Sequence, residues 1–89
     1  MAEIIRMPRM TDTMQSGLIV EWHKNIGDKI KPDDLICEIK TDKAVMDFES
    51  WWDGYLLYKG GETGDELETD SILCIIGKKD ENINELIKK

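Results

Sequence analysis

Short apolar runs alternate with polar turns along nearly the whole chain, and no segment before residue 78 keeps a helical period. Runs rich in Ile, Val, Leu and Tyr, each bounded by Gly, Asp or Pro, predict strands near 3–7, 17–22, 28–31, 35–40, 45–49, 54–58, 65–68 and 71–76. Eight short strands joined by tight turns predict an all-β domain, a flattened barrel or sandwich of two four-stranded antiparallel sheets. Residues 78–89 are polar and charged, with Ile83, Leu86 and Ile87 at helical spacing. They predict the start of a flexible linker or a short frayed helix, so the domain proper is expected to span 1–77.

The strand pattern repeats. GLIVEWHKNIGDKIKPDDLICEI at 17–39 aligns without a gap to GYLLYKGGETGDELETDSILCII at 54–76, at a constant offset of 37. Gly17 meets Gly54, Gly27 meets Gly64, Asp28 meets Asp65, Asp33 meets Asp70 and Cys37 meets Cys74. Chance similarity between two strand-rich stretches would match apolar positions. Here the turn residues match as well, which favours two equivalent halves related by a quasi-two-fold axis. Gly27 and Gly64 are expected to supply a positive φ, and Pro32 suits a turn because it cannot donate to a ladder.

Between the copies lies the strongest hairpin candidate: Leu35–Lys40, a turn of Thr41, Asp42, Lys43 and Ala44, then Val45–Glu49. Asp42 can bond nearby backbone and steady the turn, which sets Lys43 at its tip. Under the two-fold, the position matching Lys43 is Asp80, just past the last strand. The chain ends are therefore expected at the end of the domain opposite Lys43. A domain tethered at one end and presenting a lysine at the other is arranged like a carrier.

Composition narrows the function classes. With 89 residues there is one small domain and little apolar material for a deep catalytic pocket. Apolar residues are 40% and charged residues 35%, an ordinary soluble balance. A net charge of −7 argues against nucleic acid and anionic membranes as partners. No apolar run approaches the roughly 20 residues of a membrane helix. Two cysteines are too few for a secreted disulfide scaffold. The opening MAEIIRMPRM has no signal or transit pattern, so a bacterial cytoplasmic location is expected, with a mature organellar domain left open.

Other reactive residues suggest no catalysis. Cys37 and Cys74 hold matching strand positions and are expected in the core as small hydrophobes. Two Cys and His23, without close spacing, make a poor zinc site or nucleophile pair, so neither metal nor catalytic residues are expected. Met7, Met10 and Met14 are expected to fill gaps or lie on the surface as apolar residues. Adjacent Trp51 and Trp52 should face opposite ways, one packed and one exposed, the exposed one free to help a partner dock.

The assembled motifs resemble the biotinyl/lipoyl domain family. MPRMTDTMQSG at 7–17 resembles its opening, GDKIKPDDLICEIKTDKAVMDFES at 27–50 its modified hairpin, and GYLLYKGGETGDELETDSILCIIG its closing half. The resemblance spans about residues 3–77 and implies the barrel-sandwich hybrid fold. Biotin acceptors in the family carry Met on both sides of the lysine. Asp42 and Ala44 flank Lys43 here, which is the lipoyl pattern. The residues after Lys43, with Met46, Phe48 and Glu49, look most like the acetyltransferase (E2) component of pyruvate dehydrogenase. Lys40 departs from the family, which usually has Glu before the Thr-Asp-Lys turn, and this leaves partner or ligase recognition open.

The resemblance implies lipoate joined covalently to Lys43, with Asp42 and Ala44 in the recognition turn. It implies a lipoate ligase or lipoyl transferase, a thiamine-dependent E1 dehydrogenase, the E2 catalytic domain and a dihydrolipoamide dehydrogenase as partners of a monomeric domain. The isolated domain would be an acyl carrier and no enzyme. Its parent would be a dihydrolipoyllysine-residue acetyltransferase. The competing readings are a biotinyl carrier of a carboxylase and an unmodified β-sandwich interaction module.

Overall fold

A computed structural model of the chain describes residues 2–87. The strands are β1 (Glu3–Arg6), β2 (Ser16–Trp22), β3 (Lys29–Ile30), β4 (Leu35–Lys40), β5 (Val45–Glu49), β6 (Gly54–Lys59), β7 (Glu66–Glu68) and β8 (Ile72–Gly77), and one helical turn, α1 (Asn84–Ile87), follows. They build two antiparallel four-stranded sheets, ordered β1-β8-β6-β3 and β5-β4-β2-β7. Each expected strand is present within a residue or two of its expected bounds. The segment expected as linker or frayed helix contains α1, while Lys88 and Lys89 lie outside the described residues.

The two sheets exchange under the repeat: β2 corresponds to β6, β3 to β7 and β4 to β8, while β1 takes the place of β5 beside its own partner. The correspondence reaches individual hydrogen bonds. Gly27 N donates to Leu56 O and Gly64 N to Ile19 O, both at 2.7 Å. The Asp28 carboxylate accepts from Asn25 N at 2.7 Å, and the Asp65 carboxylate from Glu62 N at 2.8 Å. Backbone angles agree too: φ is +96° at Gly27 and +95° at Gly64, and 73° at both Asp33 and Asp70. The left-handed region admits Gly freely and Asp more readily than most residues, so these four residues mark where each half turns.

Inward-facing strand positions meet between the sheets. Ile19, Ile36, Cys37 and Ile39 from one half pack with Leu56, Leu73, Cys74 and Ile76 from the other, with Ile5, Met7, Met14 and Ile30 closing the cluster. Met7 and Met14 are thus gap-filling core residues, while Met10 is only partly buried. Both cysteines are free and buried, and desolvation pushes each thiol up to about 12. Trp52 packs toward Phe48 with ring centroids 6.4 Å apart, whereas Trp51 is 86% exposed.

Candidate functional site

The β4–β5 hairpin sets the lysine turn. Lys40 pairs with Val45, and Thr41 N donates to Ala44 O at 2.8 Å. Beneath the tip, the Thr41 hydroxyl accepts from Lys43 N and Ala44 N, both at 3.1 Å, and donates to Ala44 O at 2.9 Å. Thr41 is 7% exposed, so this bracing sits out of solvent, while Lys43 and Ala44 are exposed. The turn former is therefore Thr41, although the sequence directed attention to Asp42. Both residue types bond local backbone, and the choice between neighbours depends on which side chain points inward.

Asp42 points sideways. Its carboxylate accepts from the Thr11 hydroxyl at 2.7 Å and from the Thr13 hydroxyl, both in the β1–β2 connection. Those hydroxyls, Thr13 first, hold its carboxyl below the ordinary value of 3.8. A depressed carboxyl gives a contribution present above pH 3.8 and lost as pH falls through the folded value, so the contact is intact at neutral pH. Beside the turn runs an open groove of about 420 Å³ lined by Thr13, Gln15, Leu18, Lys40, Asp42 and Glu66 among others. Apart from Leu18 its lining residues are of polar types, although their apolar portions supply much of the wall, and Lys43 is not among them.

Strand pairings locate the two ends. Lys40 at the end of β4 faces Leu18, Ser16 faces Glu68, and Thr69 N bonds Gln15 O. Asp70 N bonds Met7 O, so β8 begins at the lysine end and runs away from it to Gly77. At the far end Ala2 N donates to Glu81 Oε2 at 2.9 Å. Lys43 and the chain's entry and exit thus lie at opposite ends of a body measuring 36 × 30 × 20 Å. Trp51 follows β5 at the end away from Lys43, near Pro32 and Asp33, and is not beside the lysine.

Near the lysine, Val45 and Met46 are exposed at 52% and 37% on the edge strand β5, with acidic Asp47 and Glu49 beyond them. On the outer face of β2 and β4, Glu21, His23 and Glu38 bring ligand atoms within 4.8 Å of one another. There His23 Nε2 already meets Glu38 Oε2 at 2.6 Å, which accounts for the imidazole without an ion. Sequence spacing did not single out this trio, because it arises from cross-strand register.

The family described as "Biotin-requiring enzyme" matches residues 3–76. Among curated relatives, the dihydrolipoyllysine-residue acetyltransferase component of the mitochondrial pyruvate dehydrogenase complex of Schizosaccharomyces pombe is 51% identical over 68% of this chain. The corresponding Dictyostelium discoideum component is 39% identical over 90% of it. The chain spans only 13% of the length of either relative. The solution structure of the lipoyl domain of the 2-oxoglutarate dehydrogenase complex from Azotobacter vinelandii superposes with a TM-score of 0.72 and 29% identity, covering 86% of this chain and 99% of that one. Both of these relatives are mitochondrial proteins, as are those of Caenorhabditis elegans and Saccharomyces cerevisiae, which overturns the expected bacterial cytoplasmic location. The expectation rested on the lack of a signal or transit pattern in MAEIIRMPRM, and a missing pattern does not decide a compartment.

Proposed function

We propose a lipoyl carrier role for this chain, which belongs to the biotinyl/lipoyl domain family. Lipoyl domains of this family carry lipoate covalently on a lysine. In the proposed reading that lysine is Lys43, with Asp42 and Ala44 as its recognition turn, and acetyl groups are the cargo within a pyruvate dehydrogenase complex. Residues 1–77 then form the carrier domain and 78–89 begin the tether to the rest of an E2 acetyltransferase.

The observation that carries this reading is the placement of Lys43 at a braced tip opposite the chain's entry and exit. The turn fits an attached group: the lysine is exposed, its neighbour Ala44 is small, and the backbone on both sides is hydrogen-bonded. Lipoate, when attached, supplies a dithiolane able to take up an acyl group together with two electrons. The chain's own residues contribute presentation. An ordinary lysine amine has a pKa of about 10.4 and is scarcely deprotonated at neutral pH. Amide formation therefore requires a lipoate ligase or lipoyl transferase that brings an activated acyl donor. A rigid hairpin tells that enzyme where the amine stands, and a tether holds the loaded arm near its successive sites at roughly millimolar effective concentration.

A thiamine-dependent E1 dehydrogenase would load the arm, the E2 catalytic domain would unload it to coenzyme A, and dihydrolipoamide dehydrogenase would reoxidise it. The domain alone is monomeric in this reading. Intact-mass measurement after co-expression with a lipoate ligase and with a biotin ligase, each with its acid supplied, is the test. One lipoyl adduct, absent in Lys43→Arg, is expected. A biotin adduct or an unmodified chain would refute the assignment.

A further inference from the structure

The quasi-two-fold breaks in the connections that follow the edge strands β5 and β1. The connection from β5 to β6 is short, Ser50 to Asp53, and no side-chain hydrogen bond among the described residues ties it to the 78–81 turn at its own end. Its counterpart from β1 to β2 runs from Met7 to Gln15. The added length reaches the lysine turn, where two hydroxyls, two residues apart, converge on a single carboxylate. Loop closure alone would not require both to meet the one side chain adjacent to Lys43.

We propose that Thr11 and Thr13 are positioning residues for Lys43, acting through Asp42. Thr41 holds the turn from below and the two threonines hold it from the side, so the Lys43 backbone is fixed on two faces while its side chain stays free. With both carboxylate oxygens engaged, Asp42 is an anchor for the turn. A modifying enzyme that docks on the turn then meets the β1–β2 connection and the lysine as one rigid surface. This role rests on the carrier reading of Lys43.

The test compares the chain with Thr11→Val/Thr13→Val, which removes both hydroxyls, and with Thr11→Ser/Thr13→Ser, which keeps them. Two readouts are taken: amide hydrogen exchange at residues 41–44, and KM and kcat for the domain as substrate of a lipoate ligase. Faster exchange at the turn is expected in the valine variant. Its KM should rise about tenfold with kcat little changed, because misplacement of a reacting group is costly even without lost chemistry. The serine variant should restore both. Equal exchange in the valine variant and the parent overturns the anchor. A valine variant that is merely less heat-stable, with unchanged KM, overturns the positioning role. A parent chain that gains no lipoyl adduct instead overturns the carrier reading, and the exchange comparison still decides whether the anchor exists.

Discussion

Replacing Gly27 or Gly64 with alanine isolates backbone strain from packing. A β-carbon built on either residue meets no atom within 4 Å, so neither substitution creates a clash. What remains is the conformation: φ is +96° at Gly27 and +95° at Gly64. An L residue there costs roughly 1–2 kcal/mol. The turn cannot easily escape that cost by rotating, since each glycine N–H is committed to a 2.7 Å bond across the two halves, to Leu56 O or to Ile19 O. The two glycines share no hydrogen-bond partner, so the double variant should lose roughly 2–4 kcal/mol. A domain of this size has about 4–13 kcal/mol in total. Urea denaturation of the two single variants and the double variant measures this, and each kcal/mol should also lower Tm by about 4–8 °C. Equal losses at the two sites are the expectation. A near-zero loss at both would show that the turns relax freely, and losses differing by more than about 0.5 kcal/mol would show that the halves are not mechanically equivalent.

Two further outcomes follow from burial. The thiols of Cys37 and Cys74 are raised from 9.0 to about 12 by desolvation, so the folded state favours their protonated form. Their contribution is complete below pH 9 and is lost as pH rises toward 12, at up to about 1.4 kcal/mol per pH unit for each thiol. Denaturation between pH 8 and 11 should show a steeper alkaline decline in the parent than in Cys37→Ala/Cys74→Ala; matching slopes would remove the thiols as its cause. Trp51→Ala should change stability by less than about 0.5 kcal/mol and leave lipoylation KM unaltered, because this exposed ring lies at the end away from Lys43. A raised KM would place part of the docking surface there.

The strands and the two-fold were legible because they rest on short-range chemistry. Alternating apolar residues sort themselves to one face of a strand, and glycine or aspartate stands where φ must turn positive. Gly27 with Gly64 and Asp33 with Asp70 were therefore among the turn matches that, with the apolar positions, carried the repeat. Lys43 was legible for the same reason, being the middle of a hairpin turn. Its supports were not. Thr41 rather than Asp42 braces the turn because the chain direction at that point, and not residue type, decides which side chain lies beneath it. Thr11 and Thr13 lie some thirty residues before the carboxylate they hold, and no local pattern announces such a contact. One packed and one exposed tryptophan were expected without saying which; Trp51 is the exposed one, and its place just after β5 follows from strand direction and lies away from the lysine.

The two-fold also explains where function can reside. Both ends of the domain are built from the same strand pairs, so the core itself does not distinguish them. At one end the turn carries Thr41, Asp42, Lys43 and Ala44. At the other the matching positions are Lys78, Lys79, Asp80 and Glu81, and Glu81 accepts from Lys78 N and Ala2 N, which ties the entering strand to the departing chain. One end is thus committed to holding the chain together, and this leaves the other free to project. The matched position of Lys43 is Asp80, with φ at 60°, so even the backbone of the two tips has diverged while the strands leading to them have not. Determinants of the carrier role should therefore be confined to the 41–44 turn and the connection that grips it. Substitutions in the shared core, at Ile36 or Leu73 for example, should act on stability alone and leave the ligase kinetics of the folded fraction unchanged.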